Sequence, residues 1–315
     1  MHIPDGFLSA GVAAGTWAAG AGTLGWALRA ERGDPERVPA GTLGALAGFV
    51  FAAQLVNVPL LPGTSGHLVG GMLAAALVGP CRGFVVMAVV LAVQALLFQD
   101  GGVTAFGANL LAMGGGGCIG GHAVAALVNR LFPGGRGFVA GPVAGAFVGT
   151  LVGAAFVATA LALSGLYPLS AVLPLMLSLH VPIALLEAAL TGAILGTVLR
   201  WRPDLVRGLQ AAGVPASRRA PVLGALVVAL AIAAFLAPFG SALPDGLESA
   251  AERLGFARAA RALWPAPVPA YALPWTALGR VGTALAGVVG TLITVALAWT
   301  LSRGRGASQG AGPHR

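Results

Sequence analysis

Five histidines stand in the chain, His2, His67, His122, His180 and His314, and the first two carry the clearest chemistry. A histidine at position 2 has a property that needs no fold. Its Nδ1, its own main-chain nitrogen once deprotonated, and the terminal amine of Met1 close fused five- and six-membered chelate rings in one plane. One imidazole from elsewhere completes a planar set of four nitrogens, which suits Ni(II) or Cu(II) and not tetrahedral Zn(II). His67 is the candidate for that ring. Met1 must then persist; a bulky second residue normally blocks its removal, and Pro4 stiffens the backbone behind the chelate. The bland alternative makes His2 a frayed terminal residue and His67 an interfacial anchor.

Positioning these residues falls to elements of an unusual composition. Of 315 residues, 57% are apolar and 9% charged, against roughly 25% charged in soluble domains. With a mean hydropathy of +0.88, this excludes a soluble enzyme and predicts an all-α polytopic membrane protein. Nine apolar segments are expected, near 8–28, 41–61, 67–79, 83–98, 103–129, 138–163, 172–200, 221–239 and 278–301. The 67–79 segment ends at Gly79-Pro80 and is too short to span alone.

All 18 basic residues are Arg. With the N-terminus outside, fourteen of them fall on one side of the nine segments, leaving only Arg253, Arg258, Arg261 and Arg280 on the other. That positive-inside bias puts the N-terminus outside the cell membrane and the C-terminus in the cytoplasm, and the Arg clusters report orientation rather than nucleic acid. Met1 onward lacks a basic n-region, so the first helix is expected to stay in the mature chain. His2 and His67 then share the outer face. Cys81 and Cys118 suggest neither disulfide nor thiolate cage. Trp201-Arg202-Pro203-Asp204 and Ser217-Arg218-Arg219 mark a break. It predicts a membrane domain over 1–205, a cytoplasmic linker over 206–220, two helices with an external loop over 221–301, and a tail over 302–315.

Other polar residues are fewer. His180 and Glu187 lie seven residues apart, on nearly one helical face, and could pair inside the membrane. Asp100 and Asn109 could brace the His67 loop from neighbouring segment ends; loop capping explains them as well. His122, beside Gly120-Gly121, reads as a polar contact at a close helix crossing. Gly114–Gly117 is no phosphate loop, because the chain has no Lys, and no H-E-x-x-H occurs. Gly11, Gly15 and Ala19, with Ala14 and Ala18 adjacent, would let a second helix approach closely, whether inside the chain or from a partner.

Several stretches also resemble a known family. Met1-His2-Ile3-Pro4-Asp5-Gly6-Phe7, Gly63-Thr64-Ser65-Gly66-His67-Leu68, Gln99 through Asn109, and His180 through Glu187 with Thr191 are similar to the M component of cobalt/nickel energy-coupling-factor (ECF) transporters. Leu243-Pro244-Asp245-Gly246-Leu247-Glu248 with Gly255-Phe256 resembles the PDGLE signature of the small N component of nickel systems. The resemblance implies a seven-segment substrate-binding bundle fused to a two-helix partner. It further implies a metal site of Met1, His2 and His67, with Asp100, Asn109, His180 and Glu187 as possible supports. By the same resemblance the chain is a capture subunit rather than an enzyme. It would have no cofactor, would take Ni(II) or Co(II) as cargo with nickel favoured, and would work with a transmembrane T component and two ABC ATPases. The alternatives are a secondary permease with a His180/Glu187 proton relay, a cobalt importer feeding cobalamin synthesis, a metal sensor without transport and, last, a metalloenzyme.

Overall fold

A computed structural model describes residues 1–34, 38–206, 220–273 and 278–307. Arg37, Arg207, Arg218, Arg219, His314 and Arg315, most of the linker and the end of the tail lie outside the described residues. The chain is built of helices with one small hairpin. Six stretches are long and apolar enough to cross a membrane: Pro80–Phe98, Phe106–Leu131, Gly137–Leu163, Leu169–Trp201, Val222–Phe239 and Arg280–Arg303. Their outward faces keep large apolar side chains such as Leu163, Leu223 and Phe235 exposed, as lipid contact demands.

The first three expected segments differ from simple spans. Helix α1 (Ala10–Arg32) is capped by Ser9 and ends with Arg29 and Arg32 in its last turn, where cations favour the helix dipole. It has the length to span but is less apolar than the six. The 41–61 expectation is corrected: α2 covers Ala40–Gln54 only, and β1 (Val58–Leu61) pairs antiparallel with β2 (Thr64–Gly66). Pro59 and the Pro62-Gly63 turn, with Gly63 at φ +73°, break the helix although the run is apolar.

The 67–79 segment is helical only as α3 (Gly71–Val78). Residues 67–70 precede it without regular structure, Gly70 turning at φ +81°, and the eight helical residues rise about 12 Å, well short of a membrane span. Gly79 at φ +90° then turns the chain into α4 (Pro80–Val93), with Pro80 in its first turn. Wider π turns continue α4 over Gln94–Phe98 and end at Gln99, which is itself left-handed at φ +56°.

Beyond this, α5 (Phe106–Asn109) runs through a π stretch (Leu110–Gly121) into α6 (His122–Leu131). Helix α7 (Gly135–Leu163) lies against it, and α8 (Leu169–Trp201) against α7. Gly141, Gly145, Gly149 and Gly153 recur every fourth residue on α7. A Cβ on Gly145 would stand 2.3 Å from the Gly121 carbonyl and one on Gly149 2.7 Å from that of Gly116. Small residues thus let two backbones meet directly, the expected close crossing beside His122. By contrast a Cβ added at Gly11 or Gly15 on α1 would meet nothing within 4 Å, so among the described residues that stripe packs against no other helix.

The C-terminal part holds α9 (Ala220–Ala231) with further irregular turns, α10 (Gly246–Leu254) and α11 (Arg280–Ala307). Helices α9 and α11 pack on α2. The connection between them crosses the end of the bundle where Met1 lies.

Candidate metal-capture site

The first seven residues are held rather than frayed, against the usual behaviour of termini. Met1, His2, Ile3, Asp5 and Phe7 are all buried, with Ile3 wholly so. Asn109 clasps Ile3 from both sides: its Oδ1 accepts from the Ile3 N–H (2.7 Å) and its Nδ2 donates to the Ile3 carbonyl (3.0 Å). Gly102 N–H donates to that carbonyl too (2.8 Å). Asp5 takes Thr104 N–H and hydroxyl on one oxygen. Gly6, at φ +91°, leaves no room for a side chain, since a Cβ would lie 2.3 Å from the Ala259 carbonyl. Phe7 meets Phe256 edge-on at 5.3 Å.

So held, the terminus faces His67. The His2 and His67 rings stack with centroids 5.7 Å apart. Among the described residues, donor atoms of His2, His67 and Asp245 lie within 4.8 Å of one another. Both imidazoles and the carboxylate are thus gathered in one cluster small enough to surround a single cation.

Hydrogen bonds set the ring protons. The Val69 carbonyl can only accept, so Gln54 offers it Nε2 (2.7 Å) and turns Oε1 toward Gln94. Gln94 Nε2 donates to that oxygen (2.7 Å) and leaves Oε1 facing His2 Nε2 (3.2 Å). His2 Nε2 thus faces an acceptor and is suited to carry the ring proton once Nδ1, the nitrogen the chelate ring uses, gives its lone pair to a metal. His2 Nδ1 stands 3.2 Å from Asp100 Oδ1. That contact is an ion pair when the ring is doubly protonated, and a metal cation on Nδ1 replaces the proton. His67 Nδ1–H donates to the Leu68 carbonyl (2.9 Å), leaving Nε2 free to ligate.

Electrostatics favours neutral imidazoles. Burial, then the nearby terminal ammonium and His2, lower the His67 pKa to about 4. Burial lowers His2 as well, opposed by Asp100. For Asp245, burial works upward, but the ammonium beside it, by charge and hydrogen bond, holds the carboxyl well below its usual range. Asp245 has two tasks. One oxygen pairs with the Met1 ammonium. The other caps α10, accepting from Leu247 and Glu248 N–H, while Glu248 accepts from the Asp245 N–H in return. The Asp-Gly-Leu-Glu run is thus a capping box whose cap also reaches the terminus.

The rest of the connection seals the site. Ser65 donates through N–H and hydroxyl to Pro244 (2.8 Å) and Leu243 (2.6 Å) carbonyls. Arg261 N–H donates to Asp5 (2.8 Å) and Val268 N–H to Leu97 (3.0 Å). Tyr271 hydroxyl donates to Asp100 Oδ2 (2.6 Å), its ring stacked on Phe98 at 4.5 Å. Burial and the Asp100 charge raise the Tyr271 pKa, so it stays a donor.

The structure thus joins Met1, His2 and His67. Asp100 and Asn109 are at the site, but they hold the N-terminus, not the His67 loop. His180 and Glu187 share a face yet do not pair, which corrects that expectation. Glu187 accepts from Val69 N–H (2.6 Å) and Gly70 N–H (2.8 Å) at the start of α3. A half helix in a membrane leaves such donors bare, and Glu187 supplies the missing acceptors. His122 lines a cavity of about 800 Å³ near Glu31, Asp34 and Arg82, with no residue of the site among its walls. Asp245, Gln54, Gln94 and Tyr271 were missed. Lone Gln residues within apolar spans were the available signal.

Comparison with known proteins supplies the family. Residues 2–205 match the cobalt uptake substrate-specific transmembrane region family (CbiM), and residues 219–304 match the PDGLE domain. A putative fused nickel transport protein NikMN of Archaeoglobus fulgidus is 33% identical over 96% of this chain and 98% of its own length. A fused nickel transport protein NikMN of Rhodobacter capsulatus is 31% identical, over 94% and 95%. A crystal structure of a transition metal transporter superposes with TM-score 0.58 at 28% identity, covering 64% of this chain and 93% of that one. The chain therefore belongs to the CbiM family of membrane metal-transport proteins, an M component fused to a PDGLE-bearing N component.

Proposed function

We propose that the chain is the substrate-capture subunit of an ECF-type importer that takes Ni(II), in preference to Co(II), from the outer face. The ion is held by the Met1 amine, the His2 main-chain nitrogen and Nδ1, and His67 Nε2. The observation that carries this reading is the buried terminus itself, anchored through Ile3 and Asp5 and facing His67, with His67 Nδ1 turned to the Leu68 carbonyl so that Nε2 is available, and His2 Nε2 turned to Gln94. The proposed M domain spans 1–205 and the N-like part 221–301, with both termini of the topology as the Arg bias gives them. Energy would come from a transmembrane T component and two ABC ATPases, because no phosphate-binding loop is present in the sequence. A His180/Glu187 relay is disfavoured by the engagement of Glu187 with the α3 backbone.

The test is to append one residue ahead of Met1 and titrate Ni(II), Co(II) and Zn(II) against the purified full chain, with mass spectrometry establishing the mature first residue. Nickel affinity is expected to collapse, and an unchanged affinity would remove the terminal chelate.

A further inference from the structure

Helix α8 carries a third imidazole to this site. His180 is fully buried. Its Nδ1 lies 2.7 Å from the Met176 carbonyl, and since a carbonyl only accepts, the proton is on Nδ1. Nε2 therefore keeps a lone pair, and no donor among the described residues meets it. The Nε2–Cε1 edge faces Gly246: a Cβ there would lie 2.6 Å from Cε1 and 2.9 Å from Nε2. His180 thereby explains why a glycine follows Asp245. The ring also borders a small pocket of about 10 Å³, shared with Met1, His67 and Asp245. That is room for roughly one water-sized guest.

An unmet buried acceptor lowers stability, and cluster geometry separates two uses for it. Direct ligation demands that His180 join the donors that lie within 4.8 Å of one another, and that set is His2, His67 and Asp245. His180 stands one shell further out. What borders the same pocket is Met1. Once the terminal nitrogen gives its lone pair to an ion, it retains two N–H donors, sealed from water. Asp245, already its partner, serves one of them.

We propose that His180 Nε2 accepts the second N–H of the metal-bound Met1 amine, so that Asp245 and His180 together aim the amine lone pair at the ion. His180 is then a positioning residue, and the inference rests on the reading that the amine ligates.

The experiment compares His180→Leu, His180→Gln and His180→Asn with His67→Ala in the full chain in detergent. Ni(II) affinity and melting temperature without metal are measured for each. Leu should weaken binding by about 10- to 100-fold, while the metal-free melting temperature holds or rises because the unmet acceptor is gone. Gln, whose Oε1 reaches the Nε2 position, should restore most of the affinity; Asn, which reaches only the Nδ1 position, should not. Leu binding within twofold of wild type while His67→Ala loses binding would overturn the proposal alone. So would a Leu variant whose affinity and melting temperature fall together without rescue by Gln, which marks a structural prop. If Leu does not fold, equal affinities for Gln and Asn overturn it. Unchanged binding in His67→Ala sinks the underlying reading instead.

Discussion

Replacing Glu187 separates a brace for the His67 segment from a proton relay. Its two oxygens hold Val69 and Gly70 N–H, two and three residues past His67. Glu187→Ala leaves two buried donors unmet, at about 1–3 kcal/mol each; Glu187→Gln keeps one acceptor and loses the other. If that loss falls on the closed form of the segment, binding weakens by the fraction that stays closed. For Gln, a loss of 1–3 kcal/mol corresponds to roughly 5- to 150-fold in Ni(II) affinity. For Ala the loss is larger and the melting temperature falls with it. Calorimetric titration of Ni(II) into the purified chain reads both variants. A relay predicts the reverse pattern, with uptake abolished and equilibrium binding intact. Glu187→Ala binding Ni(II) within twofold of wild type would refute the brace.

Two other outcomes follow from the same contacts. Asp245→Asn keeps an α10 cap of similar quality but removes the charge beside the buried ammonium; breaking such a pair should cost about 3–5 kcal/mol, with Asp245→Ala costing about 1 kcal/mol more for the lost cap. Thermal unfolding of the metal-free protein measures the difference, and equal melting temperatures for the two variants would contradict the dual role. His67 sets a pH window: unfolded, it takes a proton near pH 6.5, but folded only near pH 4. The unfolded chain therefore holds more protons between these values, so stability rises with pH across the window and is lost as pH falls from 6.5 to 4. His67→Gln should flatten that slope in melting temperature; an unaltered slope would assign it elsewhere.

The residues proposed to chelate were legible because the chemistry of a second-position histidine does not depend on fold, and the Arg distribution assigns His67 to the same expected face. The periodicity of His180 and Glu187 was legible too, as shared burial on α8. What each touches was not, because residues on one face need not meet. Glu187 answers a break in another segment's helix, and only tertiary structure shows where that break points. Likewise, 41–61 read as one apolar run since Pro59 and Pro62-Gly63 carry less weight in hydropathy than in backbone geometry. Asp245 was visible as part of a signature, and its spacing to Glu248 spells a capping box. That its second oxygen meets the other end of the chain, 244 residues away, is a matter of topology alone.

The ion pair between Met1 and Asp245 also ties the site to the machinery of protein synthesis. Where translation starts with formylmethionine, the formyl group must come off before the pocket can close, because an amide nitrogen carries no charge for Asp245 to neutralise. On the proposed reading, one residue added ahead of Met1 would leave the helices as they are and take the charged amine away from both Asp245 and the His2 ring.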